Sequence, residues 1–135
     1  MATRVDEVLL RFPARPDYLR LARLAAADVG SRAGFDYEEI EDLRIAVSEL
    51  CAMISTDDGA ELSLSFTVTR ESVTVAGSRP YADGGAILAD DLAMAEGLVA
   101  AVVDEHNLST DGGVATFHLL KRRRAAKPAQ PGRGD

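Results

Sequence analysis

The order of predicted elements indicates an α/β fold, of the α+β kind in which helices cover a mainly antiparallel sheet. Residues 62–69 alternate apolar and polar side chains, which is typical of a half-buried strand. Residues 40–54 repeat apolar side chains at helical spacing instead. The chain has 135 residues, 47% of them hydrophobic and 27% charged, which suits a single domain with a core of ordinary size.

The first two elements are predicted to be a strand and a helix. Residues 5–12 alternate well enough for a strand, and Pro13 ends it. Pro16 and Asp17 then begin a helix, because proline fits the first helical turn and an acid there complements the helix dipole. This helix carries two cations, Arg20 and Arg23.

The second helix has the clearest signature in the chain. Asp36 is a good N-cap, and Glu39 three residues later completes a capping box, so a helix is predicted from there to about Thr56. One stripe of this helix is apolar and predicted to be buried: Ile40, Leu43, Val47, Leu50, Cys51 and Ile54. Glu49 falls on the other side with Ile45, so it is predicted to lie outside the core.

The rest of the chain is predicted to form a hairpin, a helix and a second hairpin. The first hairpin covers residues 62–77, and a loop rich in glycine and proline follows it. The third helix is predicted over 88–106, with Gly97 in its middle. Residues 108–120 then form a closing hairpin around a turn at 111–113, so the sheet is antiparallel at both hairpins.

Charge is divided between an acidic body and a basic tail. Residues 1–120 hold nine Arg and no Lys against 21 Asp and Glu, a net charge of −12, whereas residues 121–135 have a net charge of +5. An acidic body repels nucleic acid and attracts basic proteins. We therefore expect no direct nucleic-acid partner. Residues 1–121 are predicted to form the domain, and residues 122–135 a disordered basic tail.

Several classes of protein are disfavoured by composition. Cys51 is the single cysteine and lies on the apolar stripe, so it is predicted to be a buried hydrophobic residue. With only two histidines, a Cys/His zinc site is not available. No apolar run approaches the roughly 20 residues that span a bilayer, and the acidic N-terminus is unlike a signal peptide. A cytoplasmic protein without a membrane partner is expected.

The helix around Ser48 and Glu49 resembles the N-box helix of the anti-sigma-factor serine kinases, members of the histidine-kinase-like (GHKL) ATPase superfamily. The family has a Ser-Glu pair followed, four residues after the Glu, by an Asn, and here Met53 occupies that position. Similarity extends over roughly residues 5–121. The resemblance implies a two-layer sandwich, in which three helices cover one face of a mixed, mainly antiparallel sheet of about five strands.

The resemblance also implies roles for particular residues. Glu49 would be the catalytic base, and Arg20 and Arg23 would lie on the surface that binds the sigma factor and its antagonist. Gly77 and Gly97 would be what remains of the glycines that approach the nucleotide. A thioether is a poor ligand for magnesium, so Met53 predicts no metal site and either no cofactor or weak binding of ATP and magnesium.

The function implied is that of an anti-sigma factor, which sequesters an alternative RNA polymerase sigma factor and is released by an anti-anti-sigma protein. Two alternatives stay open: an active serine/threonine-protein kinase that phosphorylates this antagonist, and a regulatory module with a non-sigma partner. Glu49 is expected to matter for kinase chemistry and little for capture. A homodimer formed through the sheet is expected, since the helices leave one sheet face without cover.

Overall fold

The computed structural model describes residues 4–55, 60–80 and 89–124, except for the side chains of residues 89–92 and 111. The three helices are α1 (Leu19–Arg32), α2 (Tyr37–Ile54) and α3 (Ala89–Ala100). The five strands are β1 (Asp6–Pro13), β2 (Glu61–Val68), β3 (Ser72–Pro80), β4 (Glu105–Ser109) and β5 (Val114–Arg122). Short 3₁₀ turns precede α1 and β5.

The strands form one sheet in the order β1-β2-β3-β5-β4, and all four neighbouring pairs are antiparallel. Alternate strand residues face the helices, and the largest buried ones include Phe66, Phe117 and Leu119. The opposite face is polar, with Ser63 and Ser65 on β2. The predicted α+β sandwich of five strands and three helices is therefore confirmed.

The start of α2 has the predicted capping box. The backbone N–H of Glu39 donates to the Asp36 carboxylate at 2.8 Å, and the backbone N–H of Asp36 donates to Glu39 Oε1 at 2.9 Å. The predicted apolar stripe is also confirmed, because Leu43, Val47 and Leu50 are fully buried. The helix ends at Ile54, slightly before the predicted end at Thr56, which lies outside the described residues.

The predicted end of the third helix at His106 is wrong, because α3 ends at Ala100. The N–H groups of Val102 and Val103 both donate to the carbonyl of Val99, which closes the helix, and the Asp104 N–H then donates to Leu120 on β5. Residues 105–109 form β4 along β5. Pairing with a distant strand thus outweighs the helical spacing of the local apolar residues.

The last strand and its contacts continue past residue 121, where the domain is predicted to end. β5 includes Arg122, the Arg123 N–H donates to the carbonyl of Glu71 at 2.6 Å, and the Arg124 guanidinium contacts Glu38 at 3.2 Å. Residues 125–135 of the predicted tail lie outside the described residues, as does the predicted loop over 81–88. No helix in the described ranges is long and apolar enough to cross a membrane.

Candidate functional site

A cleft of about 210 Å³ opens between α1 and α2 on the outer side of the helical layer. Helix α1 contributes one residue to it, and α2 contributes five. The six lining residues are Arg23, Glu41, Arg44, Ile45, Ser48 and Glu49. Charged groups of both signs and one half-exposed isoleucine thus surround a single recess.

Helical register explains why these α2 residues share a surface. Ile45, Ser48 and Glu49 are three and four residues apart, so they lie on one face. The residues on the other face, such as Leu43 and Leu50, are fully buried, whereas Ile45 is 44% exposed. The same amphipathic pattern that builds the core therefore directs Glu49 toward solvent, as the sequence predicts.

Close packing of α1 on α2 places Arg23 beside this face. A Cβ atom at Gly30 of α1 would lie 3.3 Å from side-chain atoms of both Ile40 and Phe35, so glycine allows the two helices to approach. Ala22 and Ala26 on α1 are also small and fully buried. Short side chains along the contact thus bring the long Arg23 side chain within reach of α2.

Two of the four charged groups in the cleft neutralise each other. Arg44 Nη1 lies 2.5 Å from a carboxylate oxygen of Glu41, three residues earlier on the same helix. Arg23 Nη1 instead donates to the hydroxyl oxygen of Ser48 at 3.2 Å. Among the described residues, neither Arg23 nor Glu49 forms an ion pair, and the Glu49 carboxylate accepts no hydrogen bond. The cleft therefore presents one cation and one anion without a charged partner.

The structure brings together only some of the residues singled out in the sequence. Arg23 and Glu49 line one cleft, although the family resemblance implies different roles for them. Arg20 is exposed on α1 but does not line the cleft, and neither does Met53, one turn beyond Glu49. Sequence reasoning missed Glu41 and Arg44, whose spacing of one helical turn from Ile45 and Ser48 was the available signal.

The two glycines expected to approach a nucleotide lie elsewhere. Gly77 is on β3 opposite Phe117 of β5, and a Cβ atom there would be only 2.6 Å from Cζ of that ring. Packing against Phe117 therefore accounts for this glycine. Gly97 on α3 is different, because a Cβ atom there would meet no described atom within 4 Å. Gly97 is therefore not a packing contact among the described residues.

The histidine kinase-like ATPase domain family matches residues 12–134, so the chain belongs to this family. The chain is 42% identical over 81 residues to "Serine-protein kinase RsbW" of Listeria monocytogenes serotype 4a, covering 56% of this chain and 51% of that protein. It is 38% identical over 80 residues to RsbW of Bacillus subtilis strain 168, covering 56% and 50%. The chain thus spans about half the length of these curated relatives, and the predicted family is confirmed.

The family implies a magnesium-bound nucleotide, and the described residues do not fit this ion. Magnesium prefers oxygen ligands in near-octahedral geometry. One turn after Glu49 the chain offers the Met53 thioether instead. No group of three or more His, Cys, Asp or Glu residues in the described ranges is placed to hold a metal ion. The described residues around Glu49 therefore do not form a set of ligands for magnesium.

The end of β3 also lacks the expected chemistry for adenine. The family resemblance leads us to expect an aspartate that binds adenine in the stretch 75–80, and this stretch has none. The stretch includes Arg79, which is 3% exposed. The Arg79 guanidinium donates to the carbonyl of Ile54 at the end of α2, and its Nη1 donates to the Pro80 carbonyl at 2.8 Å. A cation at a helix C-terminus is stabilised by the helix dipole. Arg79 thus joins the end of β3 to the end of α2.

Proposed function

We propose that this protein is an anti-sigma factor that sequesters an alternative RNA polymerase sigma factor and is released by an anti-anti-sigma protein. Identity of about 40% to RsbW proteins is the observation that carries the proposal. The cleft supports it, because Arg23 has no charged partner there among the described residues. Such an arginine can form charge-assisted hydrogen bonds with acids of a bound protein. Exposed Arg20, on the same helix, extends this partner surface.

The overall charge supports capture of a basic protein. Residues 1–120 carry a net charge of −12. A sigma factor binds DNA, so its positive surfaces complement an acidic body and would accelerate association. The same charge disfavours direct binding of nucleic acid by the body. This function places the protein in the cytoplasm, with no membrane partner.

The alternative function is that of an active serine/threonine-protein kinase, the activity for which the RsbW relatives are named. Glu49 would then take the proton of the substrate hydroxyl, and bound ATP with magnesium would supply the phosphoryl group. Met53 occupies the position of the family's magnesium ligand, and residues 75–80 offer no aspartate for adenine. We therefore propose no cofactor or weak ATP and magnesium binding, and capture without phosphotransfer.

A homodimer through the open sheet face is part of this proposal. Leu9 on β1 is 73% exposed in this face, beside the small polar residues Ser63 and Ser65 of β2. A leucine so exposed on a sheet face gains free energy when a second sheet covers it. The small neighbours allow a close approach. Pairing of two such faces about a two-fold axis would satisfy both subunits equally.

Titration calorimetry with the alternative sigma factors of the native host tests this function. The full chain should bind one of them without nucleotide, and Arg23→Ala should weaken that binding at least about tenfold, as loss of an interface arginine does. Arg32→Ala is the matched control, since Arg32 is exposed on the same helix and pairs with Asp28. Its effect should stay within about twofold. If no sigma factor binds, the non-sigma alternative replaces this proposal.

A further inference from the structure

Glu49 lines the cleft, and none of the described residues pairs with its carboxylate. Its residue is only partly exposed, and its carboxylate has no hydrogen bond or ion pair with any described residue. The nearest cations of the cleft are otherwise engaged, because Arg44 pairs with Glu41 and Arg23 donates to Ser48. The carboxylate therefore carries an unpaired charge at the surface of the cleft. A cation of a bound protein could form a charge-assisted hydrogen bond with it.

The surroundings of Glu49 indicate what kind of ligand fits. Ile45 lies one helical turn before Glu49 and is 44% exposed, so an apolar surface borders the carboxylate. Lysine and arginine have long apolar stems that pack on such a surface while the charged end reaches an acid. Arg23, in the same cleft, suits an acidic side chain. The recess is thus complementary to a protein segment that carries an acid and a base close together.

We infer that Glu49 is a partner-recognition residue, whose carboxylate binds a lysine or arginine of the captured protein against Ile45 while Arg23 binds a neighbouring acid. This inference rests on the proposed anti-sigma function and gives Glu49 a role that the catalytic expectation does not include. Glu49 acts here without nucleotide, because an ion pair needs neither magnesium nor a phosphoryl group. The acidic body of the protein would favour approach of the basic side chain.

The test measures binding of the full chain to its sigma factor without nucleotide. Glu49→Gln keeps the shape of the side chain and removes its charge, so affinity should fall about fivefold or more. Glu49→Lys should reduce it further, because two cations would then face each other. Glu96→Gln is the matched control, as Glu96 is a partly exposed glutamate of helix α3 that does not line the cleft. The control should change affinity less than about twofold.

The salt dependence of the affinity is a second measurement. A purely structural role of Glu49 would not change it. Raising the salt concentration from about 50 mM to about 500 mM screens exposed ion pairs, so wild-type affinity should fall. The fall should be smaller for Glu49→Gln, which has lost one pair. Ile45→Ser should weaken binding while keeping the wild-type salt dependence, because it removes only apolar contact.

The outcomes separate this inference from the proposed function. If Glu49→Gln binds with wild-type affinity and salt dependence while Arg23→Ala is weakened, the recognition role of Glu49 is overturned and the anti-sigma function stands. If no sigma factor binds the wild-type chain, the proposed function itself fails. If Glu49 were only a general base, the first result would be expected, because a general base contributes nothing to binding before nucleotide is present. Circular dichroism of each variant establishes that the change in binding is not loss of the fold.

Discussion

The carboxylate of Glu39, at the buried start of α2, accepts a hydrogen bond from the backbone N–H of Arg124 at 2.5 Å. Its other oxygen accepts the Asp36 N–H, so one side chain closes the capping box and also holds the end of the chain that leaves β5. The Glu39 side chain is only 3% exposed. A capping interaction that the sequence predicts as local is therefore also a link across 85 residues.

Replacing Glu39 by alanine should lower the free energy of unfolding by about 2–4 kcal/mol, because two backbone donors lose their acceptor in a buried place. Urea denaturation measures this change. Glu38→Ala is the control, because that side chain is 75% exposed and its pair with Arg124 is a surface interaction worth about 0–1 kcal/mol. Equal effects of the two substitutions would contradict the link through Glu39.

Two truncations should separate the anchored residues from the rest of the basic tail. Removing residues 125–135 should leave the melting temperature within about 2 °C, because they include no large apolar side chain to bury. Removing residues 123–135 also deletes the contacts of Arg123 and Arg124 with Glu71 and Glu39, so it should lower the melting temperature by several degrees more. Differential scanning calorimetry compares them. A large effect of the shorter truncation would mean that the tail packs on the domain.

The two glycines should respond to alanine in opposite directions. Gly77→Ala places a Cβ atom against the Phe117 ring and should destabilise the protein by about 1–3 kcal/mol. Gly97→Ala adds a methyl group in open space on a helix and should stabilise it by up to about 1 kcal/mol. Chemical denaturation of both variants measures the difference. Destabilisation by Gly97→Ala would show that α3 uses this glycine for a contact with residues outside the described ranges.

Nucleotide binding should be weak. Because Met53 replaces a magnesium ligand and residues 75–80 offer no aspartate for adenine, we expect ATP to bind with a dissociation constant above about 100 μM. Titration calorimetry with ATP and magnesium measures it. Met53→Asn should recover little affinity, since the adenine contact would still be missing. A low-micromolar dissociation constant of the wild type for ATP would favour the kinase alternative.

Self-association should depend on the open sheet face. Leu9→Glu should shift the chain from dimer to monomer at tens of micromolar, because it replaces an apolar contact by a carboxylate from each subunit. Leu24→Glu is the matched control, as Leu24 is 59% exposed but lies on α1 in the helical layer. Sedimentation equilibrium distinguishes the two. A wild-type mass of 14.4 kDa at this concentration would contradict the dimer.

Local patterns were enough to predict most of the fold. The alternation in residues 62–69 and the capping box of Asp36 and Glu39 depend on neighbours a few residues away, so the sequence alone contains them. The end of α3, by contrast, could not be predicted from the local pattern. Residues 101–106 continue the helical spacing, but a hydrogen bond from Asp104 to Leu120 places this segment beside β5. A competing partner distant in sequence leaves no local signal.

The candidate site, like the fold, was only partly predictable from local sequence patterns. Sequence by itself determined that Glu49 lies outside the core and that Arg23 is on the first helix, because each follows from the period of one helix. Only tertiary structure decided that the two share a cleft, since this depends on how closely α1 packs on α2 at Gly30. It also decided that Arg44 is neutralised by Glu41 while Glu49 has no partner among the described residues. Side-chain pairing follows from distances in space, which helical periodicity does not specify.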